Sequence, residues 1–189
     1  MASLGKLFGS PNRLKLMRLF LLNPEAVMET RDVVERCKLL LGAATSELSR
    51  LKSAGLIVKR LKSRQKGWQL DPTFPFIEPL KNMLKNDLTS QRRELVGQFN
   101  ACGRVTLLLL AGIFIDQGES RADLVIVGDH LKRAAVGRVI RALETELGKE
   151  INYAVLGTSE FTYRLNAGDK FIRDMLDFPH DVVVDKIGL

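Results

Sequence analysis

The sequence predicts an α+β protein: a basic, helical N-terminal part ending in a β-hairpin, a helical connector, and a C-terminal α/β part. Three observations carry this. Apolar residues recur at helical spacing up to residue 54 and alternate just beyond it. From Arg104 onward, apolar runs of strand length are interleaved with amphipathic stretches. Charge is unevenly shared: residues 1–86 carry 16 Lys and Arg against 7 Asp and Glu, and residues 87–189 carry 13 against 15. The net charge of +7 therefore belongs to the N-terminal part. A basic part joined to a mildly acidic one is the footprint of a polyanion-binding module with a non-binding companion, the plain alternative being a solvated lysine-rich surface.

Composition narrows the classes. A chain of 189 residues, 46% hydrophobic and 27% charged, suits one large globular domain or two small ones. The opening residues lack the apolar core of an export signal, and the longest apolar run, 105–115, is too short to cross a bilayer. A cytoplasmic protein without a membrane partner is expected. Cys37 and Cys102 are far apart and lack metal-ligand spacing, so they read as buried thiols, and neither a metal nor a cofactor is expected. His130 and His180 read as surface or turn residues, and no Ser-His-Asp, Cys-His or zinc constellation can be assembled.

Taken in order, Ser10-Pro11 is a helix start, because Ser caps free amides and Pro suits the first helical position. Leu14, Met17, Phe20 and Leu21 follow at helical spacing, with Arg18 expected on the outer face, until Asn23-Pro24 stops the helix. Residues 26–28 read as extended and Thr30 as the next N-cap. The second helix turns Val33, Val34 and Cys37 inward. After a turn at 38–40, a third helix runs to about Ala54 with Ala44, Leu48 and Leu51 inward, and Gly55 occupies a left-handed C-cap position. Residues 56–62 then read as a strand, 63–67 as a turn and 68–70 as the returning strand, with Trp68 as a packing anchor. Residues 71–75 form a linker-like turn. Helices over 76–86 (Ile77, Leu80, Met83 and Leu84 inward) and 89–100 (Leu95, Val96 and Phe99 inward) make up the connector.

The order helix, short strand, helix, turn, helix, hairpin over residues 8–72 resembles the winged helix-turn-helix domain of bacterial and archaeal regulators. Residues 47–57, running from the third helix into the hairpin, are especially typical. The resemblance implies that the third helix enters a DNA major groove and the hairpin tip meets phosphates or a minor groove. Thr45, Ser46, Ser49, Arg50 and Lys52 would then face the duplex, joined by Lys62, Arg64 and Lys66 from the wing. Arg50 is suited to take a guanine bidentately, but the helix otherwise lacks strong base readers, so specificity would be modest or would depend on DNA shape. A charged edge hairpin that blunts aggregation is the plain alternative for the wing.

Beyond the connector, residues 105–115, 122–127 and 151–156 read as strands. Residues 132–147 read as a helix, 159–166 and 169–176 as two short helices, and 182–184 as a last strand. Residues 111–129 resemble the nucleotidyltransferase domain of the polymerase-beta type. Active members end a strand in Gly-Ser, present Asp-x-Asp on a later strand to hold two divalent metals, and take a third carboxylate from the next strand. Here Gly112 matches the glycine, but Ile113 stands in place of the serine. Asp123 matches the second carboxylate, but Arg121 replaces the first, and the third strand offers Asn152. The resemblance therefore implies a degenerate, inactive domain, with Gly112, Arg121 and Asp123 as a nucleotide or phosphate pocket. Asp116, Glu119 and Asp129 are nearby acids that could substitute but are less well placed, in turns, and Gly118 would also border the pocket. A second apparent signature, Phe8-Gly9-Ser10, lacks the preceding strand and following carboxylates and is read as accidental.

The expected organisation is a DNA-binding module over 1–72, a connector over 73–103 and a nucleotidyltransferase-like domain over 104–189. The expected function is transcription regulation on double-stranded DNA, as a homodimer, with a small-molecule or protein effector. An active nucleotidyltransferase using Asp123 as metal ligand, or an antitoxin-like interaction module, is the alternative.

Overall fold

The computed structural model describes residues 2–62, 65–90, 92–115 and 120–189. The chain is mixed α+β, as expected, with a two-stranded and a four-stranded sheet among the described residues. It divides into two compact units: Met1–Leu84 with Ala142–Glu150, and Lys85–Arg141 with Ile151–Leu189. No helix among the described residues is long and apolar enough to cross a membrane.

The first unit opens with α1 (Ala2–Leu7), a helix too short and too glycine-interrupted to register as a periodic stretch. Gly9, at φ 72°, turns the chain into α2 (Pro11–Leu22). Ser10 caps α2, its Oγ accepting from the Arg13 amide at 3.2 Å, which disposes of the Phe-Gly-Ser coincidence. Leu14, Met17, Phe20 and Leu21 are buried as expected, but so are Leu16 and Leu19. Arg18 is buried too, correcting its expected outer placement. A helix enclosed on all sides over residues 16–21 has no outer face there.

Helix α3 (Thr30–Cys37) starts one residue ahead of the expected cap. Glu29 takes the N-cap position, its amide donating to Asp32 Oδ2 at 3.0 Å. Lys38, in a left-handed conformation at φ 52°, links it to α4 (Leu41–Ser53). Ala44, Leu48 and Leu51 face inward as their spacing requires, and Gly55 follows the helix at φ 81°.

Strands β1 (Ile57–Lys62) and β2 (Gln65–Leu70) form an antiparallel hairpin. The returning strand begins at Gln65, not Trp68; its polar first residues resemble a turn only in composition. Gly67 therefore lies inside a strand. A Cβ there would come within 2.5 Å of the Met28 carbonyl, because residue 28 is bonded alongside β2. Met28 and Trp68 exchange two backbone hydrogen bonds, of 2.9 and 2.8 Å. The core of this unit gathers Leu16, Leu19, Phe20, Val33, Leu48 and Ile57, with Ile77, Leu80 and Leu84 of α5 (Ile77–Ser90) packed onto it.

The second unit holds α6 (Arg92–Asn100), β3 (Arg104–Leu110), β4 (Leu124–Asp129), β5 (Tyr153–Leu156), α8 (Thr158–Asn166), α9 (Lys170–Asp177) and β6 (Asp181–Asp185). Between β4 and β5 runs α7 (Arg133–Leu147). Strand order is β5-β4-β3-β6. Strand β3 is antiparallel to both β4 and β6, whereas β4 and β5 are parallel, with α7 as the crossover. Alternate residues Leu107, Leu109, Val125 and Val127 form one core with Phe161 of α8 and Ile172 and Met175 of α9.

Several strand boundaries of this unit differ from expectation. The apolar run 105–115 is strand only to Leu110 and then becomes a 3₁₀ turn, Gly112–Phe114. Strand β4 starts after Ala122, and β5 starts after Ile151. Buried turns and buried strands draw on the same apolar residues, so composition does not separate them.

Candidate nucleic-acid interface and the corner between β3 and β4

Thr45, Ser46, Ser49, Arg50 and Lys52 are all exposed on α4, opposite the buried Ala44, Leu48 and Leu51. Two of them are already engaged. Thr45 Oγ1 donates to the Leu41 carbonyl at 2.8 Å, so its hydroxyl proton is committed within the helix. Arg50 Nη1 lies 3.2 Å from Glu47 Oε1.

Glu47 is the residue that sequence reasoning missed. Its side chain is only 8% exposed, and its other oxygen receives Arg13 Nε of α2 at 2.9 Å. Burial raises its pKa, but hydrogen bonds from Arg13 and Ser10 and the charges of Arg13 and Arg50 outweigh this and hold the carboxyl below its ordinary value. The available signal was an acid three residues before Arg50; its pairing with Arg13 comes from another helix. The consequence is electrostatic. Residues 38–70 contain eight Lys and Arg and a single acid, Glu47. With that acid buried and paired, this stretch has no exposed carboxylate among its described residues.

On the hairpin, Lys66 is exposed. Lys62 closes β1, and Arg64 lies outside the described residues. Lys59 stands over the Trp68 ring, 5.1 Å from its centroid, a cation–π contact. Trp68 Nε1 donates to Thr30 Oγ1 at 3.1 Å, so the indole joins the hairpin to the start of α3. Arg60, next along β1, lines a cleft of about 400 Å³ with Glu25, Gln69, Pro72 and Lys81.

The start of α4 is apolar. Leu40 occupies the N-cap position without a side-chain hydrogen bond, where Ser, Thr, Asp or Asn would stabilise the helix by about 1 kcal/mol. Leu40 is 83% exposed and Leu41 63%.

In the second unit, Gly112 and Asp123 meet at a corner. Asp123 is buried, and each carboxylate oxygen accepts a backbone amide: Oδ1 from Ile113 and Oδ2 from Asn152, both at 2.9 Å. Gly112 sits at φ 49°, and a Cβ there would overlap Asp123 Oδ1. Glycine is required by both the backbone and the space. Arg121, on the neighbouring turn, is ion-paired with Asp174 of α9. Asn152 donates to the carboxylate through its backbone, while the residue itself is exposed. The carboxylate thus ties the 3₁₀ turn to the start of β5. Among the described residues no group of three His, Cys, Asp or Glu side chains could hold a metal ion. Asp116, Gly118 and Glu119 lie outside the described residues.

Compared with protein-family models, curated proteins and solved structures, the chain has no match. The functional reading rests on the residues themselves.

Proposed function

We propose that this protein is a transcription regulator whose N-terminal unit binds double-stranded DNA through α4 and the β1–β2 hairpin, in the manner of a winged helix-turn-helix. The observation that carries the reading is the withdrawal of Glu47 into a pair with Arg13 and Arg50. It leaves Lys38, Arg50, Lys52, Lys59, Arg60 and Lys66 exposed on a stretch whose own described residues include no exposed acid, although Arg60 shares its cleft with Glu25. Such a surface attracts a polyanion by releasing its condensed counterions. Ser46, Ser49 and Lys52 supply the remaining hydrogen-bond donors of α4. The wing contributes Lys62, Arg64 and Lys66.

For the second unit we propose a degenerate nucleotidyltransferase-like domain that serves effector binding, dimerisation or partner binding. Asp123 supports this reading because both its oxygens already accept amides. Among the described residues it belongs to no metal-binding cluster, and a carboxylate so engaged is poorly placed to strip two Mg²⁺ ions of water. Arg121 supports it by pairing with Asp174 where a metal ligand would be needed.

The test is binding of the full chain to labelled duplex DNA across a salt series. Log affinity is expected to fall linearly with log salt, by about 0.9 for each phosphate neutralised. Absence of salt-dependent binding to any duplex rejects the reading.

A further inference from the structure

We propose that the start of α4 reads thymine, with Leu40 and Leu41 meeting C5-methyl groups in the major groove so that the protein prefers sites rich in A·T pairs. The proposal rests on the DNA-binding reading above and adds to it the chemistry of base choice.

A single exposed leucine is ordinary. Here two adjacent ones, 83% and 63% exposed, occupy the cap and first position of the helix assigned to the groove. Gly42 follows, with open space about its Cα, and then Ala43. One turn further on, Thr45 shares the face of Leu41. Its hydroxyl proton is held by the Leu41 carbonyl, leaving a methyl group and oxygen lone pairs to offer. From residue 40 to 45, then, no side chain has a free hydrogen-bond donor. Such a tip offers no side-chain donor to the N7 and O6 acceptors of guanine. Among the major-groove edges, thymine alone presents a methyl group, which apolar side chains contact.

Charge decides the occupant. Lys38 and Lys52, both exposed, flank the leucines in sequence, and residues 38–70 show no exposed carboxylate among those described. A second copy bringing the same face would be repelled, whereas a duplex is attracted. The leucines are left uncovered by their own unit, and the space beside Gly42 is open as well.

The experiment uses the full chain and a duplex selected from a random pool, compared with the same duplex carrying deoxyuridine for thymidine. This exchange removes the methyl groups and keeps every base-pair hydrogen bond. Each contacted methyl is expected to be worth about fourfold in affinity. The Leu40→Ala, Leu41→Ala double variant, with its melting temperature measured alongside, is expected to fold normally and bind the two duplexes equally. Wild-type protein that binds both duplexes equally, or a double variant that still discriminates, overturns the proposal. So does self-association of the wild type that the double variant loses while its thymine preference persists, since the leucines would then serve a second copy. Loss of all salt-dependent duplex binding would instead reject the underlying DNA reading.

Discussion

The α4 surface and the corner between β3 and β4 carry the same kinds of side chain, arginine beside carboxylate, and use them in opposite ways. At α4 the carboxylate is turned inward: Glu47 is buried against Arg13, and Arg50 remains 59% exposed beside it. At the corner the carboxylate is enclosed by two backbone amides, and Arg121 is drawn to Asp174. The first arrangement leaves a cationic surface with capacity to spare. The second uses up its polar groups in holding a turn to a strand. A residue type thus indicates a function only after its partners within the fold have been counted.

The strongest way to break this comparison is Asp123→Ala. It leaves two amides without their acceptor and is expected to destabilise the protein by roughly 2–6 kcal/mol, read as a lower urea midpoint. A variant of unchanged stability that lost transfer of label from ATP in Mg²⁺ would instead make the corner a metal site.

Next comes Arg50→Ala, expected to relax preference at one base position by about 1–3 kcal/mol in competition assays. Uniform weakening across all sequences would reassign Arg50 to phosphate contact.

Glu47→Gln is expected to destabilise by about 1–2 kcal/mol, since one of its two arginines remains well solvated. Because the folded pKa of Glu47 lies below its ordinary value, the stability it contributes is full above the unfolded pKa. That contribution is lost as pH falls through the folded pKa. Urea midpoints of wild type and variant should therefore converge in acid, and parallel curves would remove the ion pairs from the account.

Lys66→Ala should lower affinity equally for all duplexes and reduce the log–log salt slope by about 0.9. The smallest effect concerns Cys37, whose thiol burial pushes up to about 11 despite the nearby charges of Lys15 and Arg36. Alkylation at neutral pH should wait for unfolding, and rapid modification of the folded chain would show that the α3 core opens.

Much of the element order was legible locally. Ser10-Pro11 marked a helix start, Ala44, Leu48 and Leu51 marked an inward stripe, and Gly55 marked its end. The candidate interface was legible as a list of exposed residues on α4, but not as a surface. Leu40 was hidden at the end of what read as a turn, Leu41 followed it without being singled out, and Glu47 gave no local sign of its burial. Errors gathered where one composition serves two structures: the apolar run that turns at Gly112, and the polar residues at the start of β2.

Periodicity and capping are written in neighbouring residues, so the sequence by itself determined the helices from α2 onward, the presence of the hairpin and the uneven charge. Which polar groups remain free was decided only by tertiary structure. Arg13 reaches Glu47 across 34 positions, and Asn152 reaches Asp123 across 29. Hydrogen bonds and ion pairs form between groups that packing brings within about 3 Å, whatever their separation along the chain.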